Sequence, residues 1–166
     1  MQQSAGIVDD YFAVSEVPSV TATMPIEKPH PWLSELAPQL YAQTFPQALN
    51  DDELGVFLDA LESLVGAQRE PFAWIVMADA LMQSSAKQRK AFAAAEERMR
   101  DQDRVLCAGT AFVLTSAIAR GAVTAVYWLS PPVYPYAICK TFDDARAWAV
   151  AKLAARRSLD PRDTRA

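Results

Sequence analysis

The sequence predicts a single α/β domain with four strand–helix units and a mainly parallel or mixed sheet flanked by helices. The first observation is residues 72–78, FAWIVMA, which carry no charge and no alternation, as is typical of a strand covered on both faces. The second is that similar short apolar runs alternate along the chain with segments of helical periodicity. Such alternation favours a mainly parallel sheet joined by right-handed crossovers.

Composition is that of a folded chain with one core. The chain has 166 residues, of which 51% are hydrophobic and 22% charged, and this suits one domain. The net charge of −4 disfavours nucleic acid as a partner. Cys107 and Cys139 stand apart inside apolar runs, so we expect two buried reduced thiols and a cytoplasmic setting.

Two long uncharged runs raise the question of a membrane span. Residues 105–119 are too few for a span, and residues 121–139 contain three prolines near their end. Arg120, which separates the runs, would cost roughly 2.5–3.5 kcal/mol at the centre of a bilayer. We therefore expect core segments and no membrane span, and the N-terminal residues show no signal-peptide pattern.

The predicted domain occupies residues 32–157. Residues 1–31, with four prolines spaced among polar residues, are expected to form an extended or disordered arm, and residues 158–166 a flexible tail. His30 is the only histidine and has no neighbouring ligands, so no metal site is expected. The five glycines form no nucleotide-binding loop, so no cofactor is expected.

The first two units have clear boundaries. A strand is predicted at residues 39–45, at a sheet edge because Pro46 follows it, and a helix capped by Asn50 comes next. That helix is expected to end at Gly66. Its apolar stripe consists of Leu54, Phe57, Leu58, Leu61, Leu64 and Val65. The second unit is the strand at 72–78 and a helix that starts at Ser84 or Ser85, where Ser85 and Gln88 form a capping-box pattern.

The last two units follow the same order. A strand at residues 104–108 is expected to end at Gly109 and to lead into a largely buried helix from residue 110 or 111 to about 128. A strand at residues 136–140 precedes a helix capped by Thr141. The inward residues of that helix are predicted to be Ala145, Trp148, Ala149 and Leu153.

The carboxyl ends of the strands are the predicted binding rim, because ligands and partners of parallel sheets meet the loops there. The rim residues are Asp79, Gln83, Lys87, Thr110 and Thr141. Lys87 opens a basic stretch in the first helical turns, which indicates either an anion site or a solvated face. Asp79 has no histidine or second carboxylate near it in sequence, so no catalytic residue is predicted.

Aromatic residues cluster around a Pro-rich turn and form a second candidate site. They are Tyr127, Trp128, Tyr134 and Tyr136. Aromatic side chains beside prolines are typical of a surface that binds a protein partner or a second copy. They would equally serve to cover the sheet edge within one chain, and the sequence leaves both interpretations open.

The serine pair after the second strand resembles a motif of the STAS domain of anti-sigma-factor antagonists, over roughly residues 32–156. That family has a buried strand, then Asp-Ser-Ser-Gly, then a helix, and this chain has Gln83-Ser84-Ser85-Ala86. The strand–helix ending at residues 138–148 is similar too. The resemblance implies a STAS-like fold in which a partner kinase phosphorylates Ser84 or Ser85; a helix cap is the alternative role of these serines.

These observations predict a non-enzymatic, protein-binding module of STAS-like type in bacterial regulation or signalling. One alternative is a carrier of a small anionic or lipid-like ligand held at the strand ends. Another is a structural subunit that joins an assembly through residues 1–31. A protein partner is expected in the first case, and a homo-oligomer is compatible with each.

Overall fold

A computed structural model of the chain describes residues 30–159. The elements in order are β1 (Leu33–Ala37), β2 (Leu40–Thr44), α1 (Asp51–Ala67), β3 (Phe72–Met77), a 3₁₀ turn (Asp79–Gln83), α2 (Ala86–Leu106), β4 (Cys107–Val113), α3 (Ala117–Leu129), β5 (Tyr136–Cys139) and α4 (Phe142–Ser158). The five strands lie in the order β1-β2-β3-β4-β5, with β1 antiparallel to β2 and all other pairs parallel. The predicted α/β class with a mixed sheet is confirmed.

The sheet carries helices on both faces. Buried side chains of α1, α2 and α3 pack with those of one sheet face around Phe57, Phe72 and Trp74. The other face, centred on Ile75 and Ala111, is covered by α4 through Ala145, Ala149 and Leu153. The helices α1, α2 and α3, which connect successive parallel strands, thus lie on one face of the sheet. This is expected when all crossover connections have the same handedness. Residues 72–77 are buried from both sides, as their uncharged composition predicts.

The first predicted strand is not at an edge. It is β2, and β1 pairs with it as an antiparallel hairpin that sequence analysis missed. The turn of the hairpin places Gln39 at φ 67°, a left-handed conformation that favours glycine over other residues. The hairpin was missed because LSELA carries two polar residues and no turn glycine follows it.

The domain begins at least as early as His30, within the predicted arm. The buried imidazole of His30 lies 5.5 Å from the ring of Phe57 and 4.9 Å from that of Trp32. Its Nδ1 accepts a hydrogen bond from the backbone N–H of Trp32 at 3.2 Å. Residues 1–29 of the predicted arm and 160–166 of the predicted tail lie outside the described residues.

Local capping signals located the starts of α1, α2 and α4. The side chain of Asn50 accepts hydrogen bonds from the first turn of α1, and Thr141 caps α4 through the backbone N–H of Asp144. Ser85 and Gln88 form the predicted capping box at the start of α2. The end of α1 differs slightly from expectation, because the helix continues through Gly66 to Ala67.

The third unit differs most from prediction. Helix α2 continues to Leu106, and the strand that follows, β4, runs through Gly109 to Val113 instead of ending at it. A Cβ at Gly109 would lie 2.7 Å from Cη2 of Trp148 on α4 and 3.1 Å from the carbonyl oxygen of Pro135. Gly109 is therefore a site of close packing inside the strand, where sequence analysis placed a strand end.

We expect Gly109→Ala to destabilise the domain by about 1–3 kcal/mol, because the added methyl group forces the Trp148 indole out of its position. Gly55→Ala in α1 is the matched control, since no atom beyond its chain neighbours and its own helix backbone lies within 4 Å of a Cβ there. That control should gain roughly 0.5–1 kcal/mol from helix propensity. Urea unfolding of both variants measures the difference, and equal stabilities would contradict the packing described for Trp148.

Helix α3 is the second departure. It begins at Ala117, capped by Ser116, and not at residue 110 or 111. It was predicted to be largely buried, yet Ala119 is its only buried residue, and Val123 and Tyr127 are half-buried against the core. The sequence indicated burial because the helix is almost entirely apolar, but its outer face has no covering element among the described residues.

None of the helices in residues 30–159 is both long and apolar enough to cross a membrane. The same residues contain no group of three or more His, Cys, Asp or Glu side chains arranged to hold a metal ion.

Candidate functional site

The predicted rim is only partly assembled. Asp79 follows β3, and its carboxylate accepts hydrogen bonds from the backbone N–H and the hydroxyl of Thr115, both at 3.0 Å, so that it ties the ends of β3 and β4 together. Gln83 is exposed near it, and Thr141 follows β5 as the cap of α4. These three residues lie at the carboxyl ends of strands, as predicted.

Thr110 and Lys87 differ from these three residues in different ways. Thr110 is 3% exposed inside β4, so its assignment to the rim is wrong; β4 extends past Gly109, and this moves Thr110 into the core. Lys87 is exposed but bonds to the carboxylate of Asp51 on α1 at 2.7 Å. The basic first turn of α2 is thus partly balanced by the acidic first turn of α1, and this fits a solvated face.

The two serines have different environments. Ser84 is buried, and its hydroxyl donates to the carbonyl of Leu81 at 2.6 Å. Ser85 is exposed, and its hydroxyl accepts from the backbone N–H of Gln88 at 3.2 Å as part of the capping box. The guanidinium of Arg89 also donates to the carbonyl of Ser84. Both serines cap local structure, and Ser85 is the more accessible of the two.

The aromatic cluster divides between the interior and the surface. The ring of Tyr127 lies 4.8 Å from that of Tyr136 and 5.6 Å from that of Phe112, so α3 packs over β4 and β5 through tyrosine. Tyr134 is half-buried beside them. Trp128, in contrast, is 83% exposed. The tyrosines therefore cover the sheet within the chain, Trp128 belongs to an open surface, and partner binding by this surface stays a prediction.

Trp128 is one member of an exposed apolar face on α3. We call this face the α3 surface; its residues are Ile118, Ala122, Ala125, Val126, Trp128 and Leu129. Ile118 is 87% and Leu129 90% exposed. The only charged residue of α3, Arg120, donates from its guanidinium to the carbonyls of Leu114 and Thr115 at 2.9 and 2.8 Å. The α3 surface is therefore apolar and carries no charge.

A cavity lies on the inner side of the same region. It is about 190 Å³ in volume and opens between α2 and the turn at residues 130–134. A second cavity of about 70 Å³ continues towards β2, β3 and β4. Glu96, Asp103 and Tyr134 line both, and Tyr127 lines the outer one. We call these two volumes together the acidic cavity; they lie at the amino ends of β4 and β5, opposite the predicted rim.

Burial changes the acid–base chemistry of this cavity. Desolvation, with the nearby Glu96 carboxyl as a smaller cause, raises the pKa of Asp103 to about 7. Desolvation also raises the pKa of Glu96, although this residue is exposed at the mouth, and it raises the pKa of the tyrosines 127 and 134. Cys107 lies deeper, and burial raises the pKa of its thiol to about 12, so it is inert as a nucleophile near neutral pH.

Sequence analysis missed the acidic cavity. Neither Glu96 nor Asp103 was predicted to belong to a site. One signal was present: the inward positions Phe92, Ala95 and Met99 continue at i+4 to Asp103, which puts a carboxylate on an apolar stripe. A charged residue at such a position is rare unless it is paired or functional.

Comparison of the chain with models of protein families, with curated proteins and with solved structures finds no match.

Proposed function

We propose that this domain is a non-enzymatic, protein-binding module of STAS-like type, that it binds through the α3 surface, and that the occupant of this surface is a second copy of the same chain. The single observation that carries the proposal is the contiguous apolar face of α3, with Ile118, Trp128 and Leu129 each more than four-fifths exposed. A regulatory role, as the STAS-like layout of strand, serine pair and helix implies, is part of the proposal.

Exposure of this face is costly. Burial of apolar surface is worth about 25 cal/mol per Å². Single exposed leucines are ordinary, but a contiguous patch rimmed by polar residues marks an interaction site. The large members of the patch recur on one side of the helix, so a single flat partner element contacts all of them together. Association removes this apolar surface from water, and the hydrophobic free energy gained stabilises the complex.

The spacing of the patch favours another helix as the contacting element. Ile118, Ala122, Ala125 and Leu129 follow one another at intervals of four, three and four residues, the spacing of a helix–helix seam. The two central alanines let a facing helix approach closely. A second copy of α3 presents the same seam, so the contact is isologous, and a two-fold axis closes it without leaving a free surface.

Charge and area agree with self-association. A patch of one sign would repel its own copy, whereas the α3 surface is neutral although the chain carries a net charge of −4. Each partner in a standard interface contributes about 800 Å². An aromatic side chain buries about 150–250 Å², so Trp128 and its three large aliphatic neighbours supply a substantial part of that area.

A lipid surface suits this helix less well. Helices that lie in a membrane interface combine an apolar face with a Lys- or Arg-rich polar face. Arg120 is the only basic residue of α3, and its guanidinium is bonded to the backbone of its own chain. The acidic balance of the chain also opposes anionic headgroups.

The STAS-like resemblance adds a candidate for regulation. Of the two serines, Ser85 is exposed and Ser84 is buried, so Ser85 is the one that a kinase would reach without unfolding the turn before α2. A phosphate there would meet the free amides and the positive end of the α2 dipole, which favour an anion. Mass spectrometry after incubation with a cognate kinase checks this; phosphate on neither serine would remove the switch from the proposal.

Sedimentation equilibrium of the purified chain over a wide concentration range tests the function. The expected result is a reversible monomer–dimer equilibrium whose mass at high concentration is twice that of one chain. A chain that remains monomeric at the highest concentration contradicts the proposed occupant. An association that persists when the α3 surface is altered contradicts the proposed surface.

A further inference from the structure

We propose that the acidic cavity is a binding site for a small organic cation, a primary ammonium group held by the carboxylates of Asp103 and Glu96. This inference does not depend on the proposed function, because it concerns the inner side of α3 and not its outer surface. Within the described residues, the cavity has an unpaired buried acceptor, carboxyl groups without an ion-pair partner, aromatic walls and a small volume.

The unpaired acceptor is Oδ1 of Asp103. The residue is 7% exposed, and this oxygen has no hydrogen-bond partner among the described residues. A buried polar atom left without a partner costs about 1–3 kcal/mol, so native proteins rarely retain one without reason. Asp103 lines both parts of the acidic cavity. A donor group of a ligand in that space would supply the missing hydrogen bond.

The charge in the cavity lacks a cationic partner. Asp103 and Glu96 form no ion pair among the described residues. Arg100 also lines the outer part but is bonded to Glu97 at 3.1 Å, and Arg104 is bonded to Asp101 at 3.5 Å. Glu96 adds a second carboxylate at the mouth. A cation entering the cavity would therefore meet the carboxyl groups of Asp103 and Glu96, while the one guanidinium in the lining, that of Arg100, is balanced by Glu97. A charge-assisted hydrogen bond is strong in such a setting.

The walls favour an organic ammonium over a metal ion. Tyr127 and Tyr134 line the outer part, and Trp74 and Phe112 line the inner part, so aromatic faces are available for cation–π contact. A divalent metal would need several converging oxygen ligands. The described residues contain no group of three acidic, histidine or cysteine side chains that could provide them.

The volume limits the ligand to a few heavy atoms. Sites for drug-sized molecules usually enclose about 300–1,000 Å³, whereas the two parts of the cavity enclose about 190 and 70 Å³. A short alkylammonium ion fits this description: its ammonium group faces the carboxylates, and its alkyl chain lies along Pro131, Pro132 and Val133 at the mouth.

The test is a titration of the ¹⁵N-labelled chain with n-butylammonium chloride, in which the amide chemical shifts are measured at each ligand concentration. The expected result is saturable shifts in α2 around Asp103 and in the turn at residues 130–134. n-Butanol, which has the same shape without the charge, and Mg²⁺ should give at least tenfold weaker responses. Equal responses to butylammonium and butanol, or a saturable response to Mg²⁺ alone, would overturn the assignment.

Two variants locate the site. Asp103→Asn should weaken butylammonium binding at least tenfold, while the matched control Asp101→Asn removes a carboxylate that is 97% exposed on the same helix and should leave binding unchanged. Glu96→Gln provides a second change, should Asp103→Asn disturb the fold. Unchanged binding in both Asp103→Asn and Glu96→Gln, with intact amide spectra, contradicts the proposal. A dimer or monomer found by sedimentation does not affect this outcome.

Discussion

Asp103→Asn is expected to make the domain more stable than the natural chain at pH 8, by up to about 4 kcal/mol. The pKa of this carboxyl is raised to about 7 in the folded chain, from an ordinary value of 3.8. Each pKa unit corresponds to about 1.36 kcal/mol. An acid whose pKa is raised on folding stabilises the fold only while it is protonated, and its ionisation at higher pH favours the unfolded chain.

The pH window of this effect follows from the same two values. Asp103 contributes full stability below about pH 4 and loses it as the pH rises to about 7, where the folded carboxyl ionises. Hydrogen bonds from Lys87 and Arg98 lower the pKa values of Asp51 and Glu62. These two groups therefore stabilise the fold when ionised, and their contribution is lost as the pH falls. The difference between variant and natural chain isolates Asp103 from these groups.

Urea unfolding of both proteins at pH 4, 6 and 8 measures the effect. The stabilities should coincide near pH 4 and separate as the pH rises, with the variant more stable. Asp101→Asn, which alters an exposed carboxylate, should follow the natural chain within about 0.5 kcal/mol. A difference that is constant with pH, or of the opposite sign at pH 8, is incompatible with a buried, unpaired Asp103. A retained cost of this kind is typical of a functional site.

Leu129→Lys is expected to raise the dissociation constant of the dimer at least roughly a hundredfold, because it places a charge in an apolar, desolvated contact. Leu129 is 90% exposed in the single chain, so the substitution should change the free energy of unfolding of the monomer by no more than about 0.5 kcal/mol. Loss of association without loss of stability separates an interface residue from a core residue.

Val56→Lys is the matched control for this change. Val56 is an exposed aliphatic residue on α1, away from α3, and the substitution adds the same charge. Sedimentation equilibrium of the three proteins should show a dimer for the natural chain and for Val56→Lys, and a monomer for Leu129→Lys. Equal dissociation constants for the two variants would mean that α3 is not the interface.

Features set by neighbouring residues could be predicted from the sequence. The caps at Asn50, Ser85 and Thr141 and the buried stripe of α1 depend on residues within a few positions of each other, and the structure contains each of them. The uncharged run at β3 identified a strand buried on both faces for the same reason. These local signals were sufficient for the α/β class.

Features set by distant residues could not be predicted. The sequence alone predicts a strand end at Gly109, because the contact of Gly109 with Trp148 of α4 joins residues that are distant in the chain. The β1–β2 hairpin closes through a non-glycine residue at positive φ, so no turn signal marks it. An apolar composition identified α3 as a helix but not which side of it is covered. Asp103 lies in a cavity only because Tyr127 of α3 and Tyr134 of the Pro-rich turn, both distant in sequence, line the same space.

The contact between two copies of α3 is the central claim, and an isotope-filtered NOE experiment on an equimolar mixture of ¹³C-labelled and unlabelled chains tests it most directly. The account predicts intermolecular NOEs among the methyl groups of Ile118, Ala122, Ala125 and Leu129. Intermolecular NOEs that arise only from other elements, or none at concentrations where sedimentation gives a dimer, would contradict it.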